Sequence, residues 1–330
     1  MCKLWLSLIA SKFSYWGRIC NSILKKIKVL FVLLGLVLFL LVYQPNQDHS
    51  KSVSRALSKI SKDDREALEA FFYELYFSGG AYVLFGNKPM SFCSFTKTSY
   101  SQRTPLTNIT ELSTCLHLQN IKANRGWKVW KKYEDLFPSS KFVIIESVER
   151  DYVTVIIINK KNFLKKVKEN IDVFREFLGA DITPDVLLRR YLVSSNPMQE
   201  VFQNHRVLLG IVLGYGRHNA ELFSRKIEIE IARESLDDSD LNTQIVPAEG
   251  FLSLEEEYQF INSQLISYQE PDLWEWSNPI LPLPGFIADL KHPETRQLKK
   301  QYREQHKEIV EKYKKRDFLQ ITLAAFMNDH

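Results

Sequence analysis

Residues 29–43, Val-Leu-Phe-Val-Leu-Leu-Gly-Leu-Val-Leu-Phe-Leu-Leu-Val-Tyr, are an unbroken apolar run of 15 behind a 28-residue leader with six Lys and Arg and no Asp or Glu. Water cannot solvate such a run cheaply, so a bilayer or a protein interior must cover it. As a helix the run covers about 22 Å of a hydrocarbon layer about 30 Å thick. Spanning length is reached by extending it back through Ile23, Leu24 and Ile27, with Lys25, Lys26 and Lys28 carrying their ammonium groups to the headgroups on their methylene stems. Tyr43 then marks the far interface and Pro45 ends the helix. The expectation is a single transmembrane helix over residues 29–43, with the lipid bilayer as its partner. A cleaved secretory signal is the rival reading, but the nearest small-x-small site, Ser52-Val53-Ser54, lies far downstream and the leader is long for a signal. A buried core helix is the third.

Orientation follows from the cations flanking the span. Lys12, Arg18, Lys25, Lys26 and Lys28 precede it, against Lys51, Arg55, Lys59 and Lys62 after it, and three of the former touch the apolar run. The N-terminus is therefore expected in the cytoplasm and the C-terminal bulk on the other side. The leader, with Leu4, Trp5, Leu8 and Ile9 toward one side, reads equally as an interfacial basic helix or a disordered tail.

The chain has 44 Lys plus Arg and 39 Asp plus Glu, a net charge of +5. Removing the six leader cations leaves 38 against 39, so the basic character belongs to the anchor and gives no support to nucleic-acid binding. Cys93 and Cys115 lie beyond the span, where an oxidising compartment would let them pair and contribute about 3 kcal/mol; two buried free thiols are the other reading. There is no zinc-type spacing and no nucleotide fingerprint, so neither metal nor cofactor is expected.

Beyond the anchor the pattern is α+β, helix-dominated, with a small antiparallel sheet. The parts are a basic cytoplasmic leader (1–28), the anchor (29–43), a linker (44–62), a globular α+β domain (63–234), an acidic loop and Pro-rich arm (235–293) and a C-terminal helix (294–330). Asp63 with Glu66 resembles a capping box for a helix that Gly79-Gly80 stops. Residues 81–85 and 90–95 read as strands about an Asn87-Lys88-Pro89 turn. Residues 110–136 read as a helix broken near Gly126, and 141–148 with 152–159 as a hairpin. Thr183-Pro184 and Asn196-Pro197 signal two further helix starts.

The best candidate site is residues 207–219. An apolar run ends in Gly214-Tyr215-Gly216 and then Arg217-His218-Asn219, which places polar side chains at the mouth of a buried element. Arg217 suits a carboxylate or phosphate, His218 suits proton transfer, and Glu221 follows one turn on. The bland alternative is close helix packing at Gly210 and Gly214, with Arg217 and His218 capping a helix end. Elsewhere, Ser78-Gly79-Gly80 lacks a nucleophile elbow, and the histidines are scattered without metal spacing. Arg125, Trp127, Lys128, Trp130, Lys131, Lys132 and Tyr133 interleave cations with aromatics, which suits a membrane interface or single-stranded nucleic acid, lipid headgroups being the more accessible partner; the structural reading is a solvated helix face with its tryptophans turned inward.

Three stretches are similar to segments of uncharacterised proteins of chlamydia-like intracellular bacteria. They are residues 77–91 (Phe-Ser-Gly-Gly-Ala-Tyr-Val-Leu-Phe-Gly-Asn-Lys-Pro-Met-Ser), residues 126–138 with the hairpin that follows, and residues 209–220. The resemblance implies a bacterial, host-associated envelope and a place in the inner membrane; it carries no activity, fold or ligand. Secreted inclusion-membrane proteins of such bacteria typically have two close spans, and this chain has one. The sequence therefore points to a single-pass membrane protein whose non-cytoplasmic domain binds a protein partner or ligand without chemistry. The alternative is a membrane-tethered enzyme acting on a small anionic or lipid substrate, with Arg217 orienting it, His218 as acid or base and Glu221 setting the tautomer.

Overall fold

The computed structural model describes residues 46–96, 111–148, 152–235, 245–267, 281–314 and 317–328. Among these no helix is long and apolar enough to cross a membrane, and the run at 29–43 lies outside them. In chain order, α1 (Asn46–Leu57), α2 (Lys62–Leu75) and α3 (Ala81–Leu84) lead into strand β1 (Met90–Thr96). Helix α4 (Glu111–Tyr133) precedes strands β2 (Phe142–Val148) and β3 (Tyr152–Asn159). Helices α5 (Lys160–Glu169), α6 (Ile171–Leu178), α7 (Pro184–Val193), α8 (Pro197–Glu200), α9 (Arg206–Val212) and α10 (Arg217–Ser235) follow. The C-terminal part holds α11 (Leu254–Gln264), short strands β4 (Leu265–Ser267) and β5 (Ile287–Asp289), then α12 (Pro293–Tyr313) and α13 (Phe318–Met327). Helix dominates, with one three-stranded antiparallel sheet, and the described residues from 53 onward form one compact unit.

The sheet separates the two largest of the four apolar clusters among the described residues. β3 is central, in the order β1-β3-β2, with Val155 opposite Cys93 on one side and Glu146 on the other. Successive side chains on a strand point to opposite faces. Val155 and Ile157 accordingly join Phe95, Phe142 and Ile144 under α2, α4 and α13, whereas Ile156 and Ile158 join Phe163, Phe174, Tyr191 and Leu208 from the later helices. Both faces are covered, which is why residues 155–158 are a continuous apolar run with no polar alternation.

In the first core Phe71 is fully buried, its ring 5.5 Å from that of Trp127 and 6.3 Å from that of Phe95. Burying a side chain of this kind contributes about 1.5–3 kcal/mol, and truncating it to alanine costs about 3–5 kcal/mol. α13, apolar on most sides, closes this core through Leu319, Leu323, Phe326 and Met327.

Several local signals are read correctly. Thr183 accepts the N–H of Val186 and Asn196 that of Gln199, each ahead of a proline in the first turn. β2 and β3 pair antiparallel, although residues 149–151 between them lie outside the described set. Other expectations are corrected. Residues 81–85 are not a strand: α3 is a helical turn whose Ala81, Tyr82 and Val83 are fully buried, and a short run covered on all sides shows neither period. The helix is not broken at Gly126. There α4 crosses α2 so closely that a Cβ would lie 1.9 Å from the carbonyl oxygen of Ala67. The cap of α2 is Ser61, which accepts the N–H of Asp64, rather than an Asp63–Glu66 box. Of the two readings of residues 50–62, a linker or a frayed helix, the helix holds as far as Leu57 in α1, and Val53, Ala56 and Ile60 are buried in the first core. Cys93 is a buried free thiol, pushed well up by burial and by Glu74; the side chain of Cys115 lies outside the described residues.

Candidate functional site

The segment singled out in the sequence is a tight helical corner. α9 ends at Val212, Leu213 caps it, and α10 begins at Arg217. The corner needs left-handed backbone at Gly214 (φ +80°) and Gly216 (φ +88°), and both sites are also too crowded for a side chain. A Cβ on Gly214 would meet the Tyr302 hydroxyl at 2.6 Å, and one on Gly216 the Glu294 carboxylate carbon at 2.8 Å. These glycines admit the close approach of the protein's own α12.

Glu294, in the first turn of α12, caps α10. Its two oxygens accept the backbone N–H groups of Arg217 and His218, each at 3.0 Å. A carboxylate there satisfies two orphan donors and meets the positive end of the helix dipole. The side chains then part. Arg217 donates through Nη1 to Asp172 at 2.6 Å and through Nε to Glu221 at 2.7 Å. Its hydrogen bond holds the exposed Asp172 carboxyl below the usual range. His218 goes instead to Asp289 of β5, with Nε2 3.2 Å from Oδ2, and its ring stacks on His292 at a centroid distance of 3.7 Å. Burial acts to raise the Asp289 carboxyl, but hydrogen bonds from the Lys291 N–H and from His218 bring it below normal.

Asn219 is the buried hub of the corner. Its oxygen accepts the N–H of Asp289 and the hydroxyl of Thr295, both at 3.0 Å, and its amide donates to the Tyr215 carbonyl at 2.8 Å. The five candidate ligand residues Gly214, Gly216, Arg217, His218 and Asn219 are thus together, with Glu221 beside Arg217, but each is spent on an intramolecular contact. None of them lines the cavity of about 260 Å³ bounded by Phe85, Gly86, Asn87, Gln301, Gln305 and Glu308. Among the described residues no group of His, Cys, Asp and Glu is placed to hold a metal ion.

The residue the sequence hides is Lys88. Within Asn87-Lys88-Pro89 it reads as a solvated turn, yet it is only 2% exposed. Its Nζ donates to the Leu213 carbonyl, at the C-terminal end of α9, and lies 4.8 Å above the Tyr215 ring. Tyr302 donates to the adjacent Gly214 carbonyl at 2.9 Å. A cation at a helix C-terminus is favourable, whereas burial disfavours its charge and lowers the Lys88 pKa to about 7. No carboxylate forms an ion pair with it among the described residues.

The cation and aromatic motif on α4 is a structural face. Trp127 and Trp130 are buried, and Trp127 donates to Glu146 at 2.9 Å beside Lys131 at 2.8 Å. Asp64 gathers Lys132 at 3.4 Å, Tyr133 at 3.2 Å and Arg125 at 3.8 Å. At residues 77–80, Ser91 donates to the Ser78 backbone carbonyl across a helical kink. Compared with known proteins, the chain matches no family model, no curated protein and no solved structure.

Proposed function

We propose that this is a single-pass membrane-anchored binding protein: residues 29–43 cross the bilayer, the leader stays in the cytoplasm, and the folded body is displayed on the other side, where it holds a protein partner. The observation that carries the proposal is the uncharged 15-residue run beside three lysines, which a helix can bury only in lipid or in a core. The bacterial inner membrane is the setting the resemblance suggests. Binding is preferred over chemistry because Arg217, His218 and Glu221 do not converge. Arg217 pairs with both Glu221 and Asp172, His218 pairs with Asp289, and the backbone N–H groups of Arg217 and His218 are held by Glu294.

Topology is tested with two single-cysteine chains, one keeping Cys20 and one carrying Val193→Cys. Val193 is 85% exposed, whereas native Cys93 is too buried to label. An impermeant maleimide is expected to reach Val193→Cys from outside the cytoplasmic membrane and Cys20 only after the membrane is opened. Labelling of both from the same side rejects the proposal.

A further inference from the structure

Leu252 is 94% exposed, the highest value among the described large apolar side chains. It precedes Ser253, the N-cap of α11, and its neighbour Phe251 has its ring 5.3 Å from that of Phe260, itself half-exposed on α11. The exposure is imposed by the backbone. Ser253 accepts the N–H of Glu256, and the Glu256 carboxylate returns to the N–H of Leu252 at 2.9 Å, a reciprocal cap that fixes the chain entering the helix. The inner side of α11 is already engaged. Glu257, 2% exposed, takes Arg225 of α10 bidentately at 2.7 and 2.8 Å, and Ile261 packs against Ile229. Among the described residues, no element covers the side carrying Phe260, which is 50% exposed.

The charge around this apolar patch is one-sided. Between residues 234 and 290 the chain has no Lys, Arg or His, and Glu249, Glu255 and Glu256 are exposed beside Phe251 and Leu252 in the chain. Arg233 meets Glu255 at 3.2 Å from the neighbouring helix, which leaves the carboxylates in excess.

We infer that the surface of Phe251, Leu252 and Phe260 is a docking site for a basic amphipathic helix of a partner protein. The inference rests on the partner-binding function proposed above and names the chemistry of the partner. Apolar side chains of the incoming helix cover Leu252 and the two phenylalanine rings, and its lysines or arginines meet Glu249, Glu255 and Glu256. The same charge argues against two other occupants. A second copy pairing through a two-fold axis would bring like carboxylates together, and an anionic lipid surface would be repelled.

The test uses the full-length chain, immobilised through an N-terminal tag in a non-ionic detergent, and a fluorescent amphipathic leucine–lysine peptide, with binding to a blank surface subtracted. The peptide is expected to bind, and Leu252→Asp or Phe260→Asp to weaken it at least tenfold. Glu249→Gln with Glu255→Gln weakens binding several-fold and flattens its salt dependence, and a leucine–glutamate peptide does not bind. Equal binding of both peptides, or unchanged affinity in Leu252→Asp and Phe260→Asp, overturns the inference. So does a chain that instead pairs with itself until Leu252→Asp is introduced. The readout needs no bilayer, so its failure leaves the anchor at 29–43 standing, and a failed anchor leaves this result standing.

Discussion

The amine of Lys88 donates to the carbonyl of Leu213 inside the protein, closing the C-terminal end of α9 with a side chain from another part of the chain. Burial holds the folded pKa near 7, below the ordinary 10.5. Between those values the unfolded chain binds the extra proton, so stability rises with pH across the window, by at most about 1.4 kcal/mol per unit. In Lys88→Met this contribution is gone. Urea unfolding at a series of pH values, taken as the difference between the two proteins, is expected to show a slope confined to that range; parallel curves would contradict it.

Glu294→Ala removes the acceptor for two backbone donors at the start of α10. A lost cap of this type costs about 0.5–2 kcal/mol. Glu294→Gln keeps one acceptor oxygen and is expected to lose about half as much. The urea midpoints of the two variants check the order.

Gly214→Ala forces a Cβ toward the Tyr302 hydroxyl at a position with φ +80°. The strain is expected to cost about 1–3 kcal/mol. Tyr302→Phe removes the hydroxyl that the Cβ meets and strands the Gly214 carbonyl, at about 1–3 kcal/mol. Because both changes act on one contact, the double variant should lose less than the sum. Strict additivity would place the clash elsewhere.

The Arg225–Glu257 pair fastens α11 to α10. The hydrogen bonds from Arg225 hold the Glu257 carboxyl below the usual range, so its contribution is present above the unfolded pKa and fades as pH falls through the lower folded value. Glu257→Ala removes the carboxylate shared by Arg225 and the Ala248 N–H, while Arg225 keeps Glu228 and the Val246 carbonyl, and is expected to cost about 1–3 kcal/mol at neutral pH. In Glu257→Gln the part of the acid destabilisation below about pH 4.5 that belongs to this residue disappears. Unfolding followed from neutral to acid pH measures both effects.

What could be read from the chain alone was what depends on near neighbours. The proline-led starts of α7 and α8 and the β2–β3 hairpin are local, because cap residues and β-branched runs act over a few positions. Residues 81–85 were misread because complete burial removes the periodicity that separates strand from helix. Gly126 looked like a break because its use, the close approach of Ala67, is visible only once α2 lies across α4. The glycine corner and its close packing at Gly210 and Gly214 are legible in the sequence, but the residue that caps it is not: Glu294 lies 77 positions from Arg217, and no spacing rule joins them. Lys88 was missed for the same reason, since its acceptor is 125 positions away.

Alkaline carbonate extraction of the full chain beside a variant lacking residues 29–43 tests the anchor most directly. The full chain is expected to stay in the membrane pellet, and the deletion variant to be released with an unchanged urea midpoint for the body. Release of the full chain, or a deletion that unfolds the body, would place the apolar run inside the fold and contradict the account.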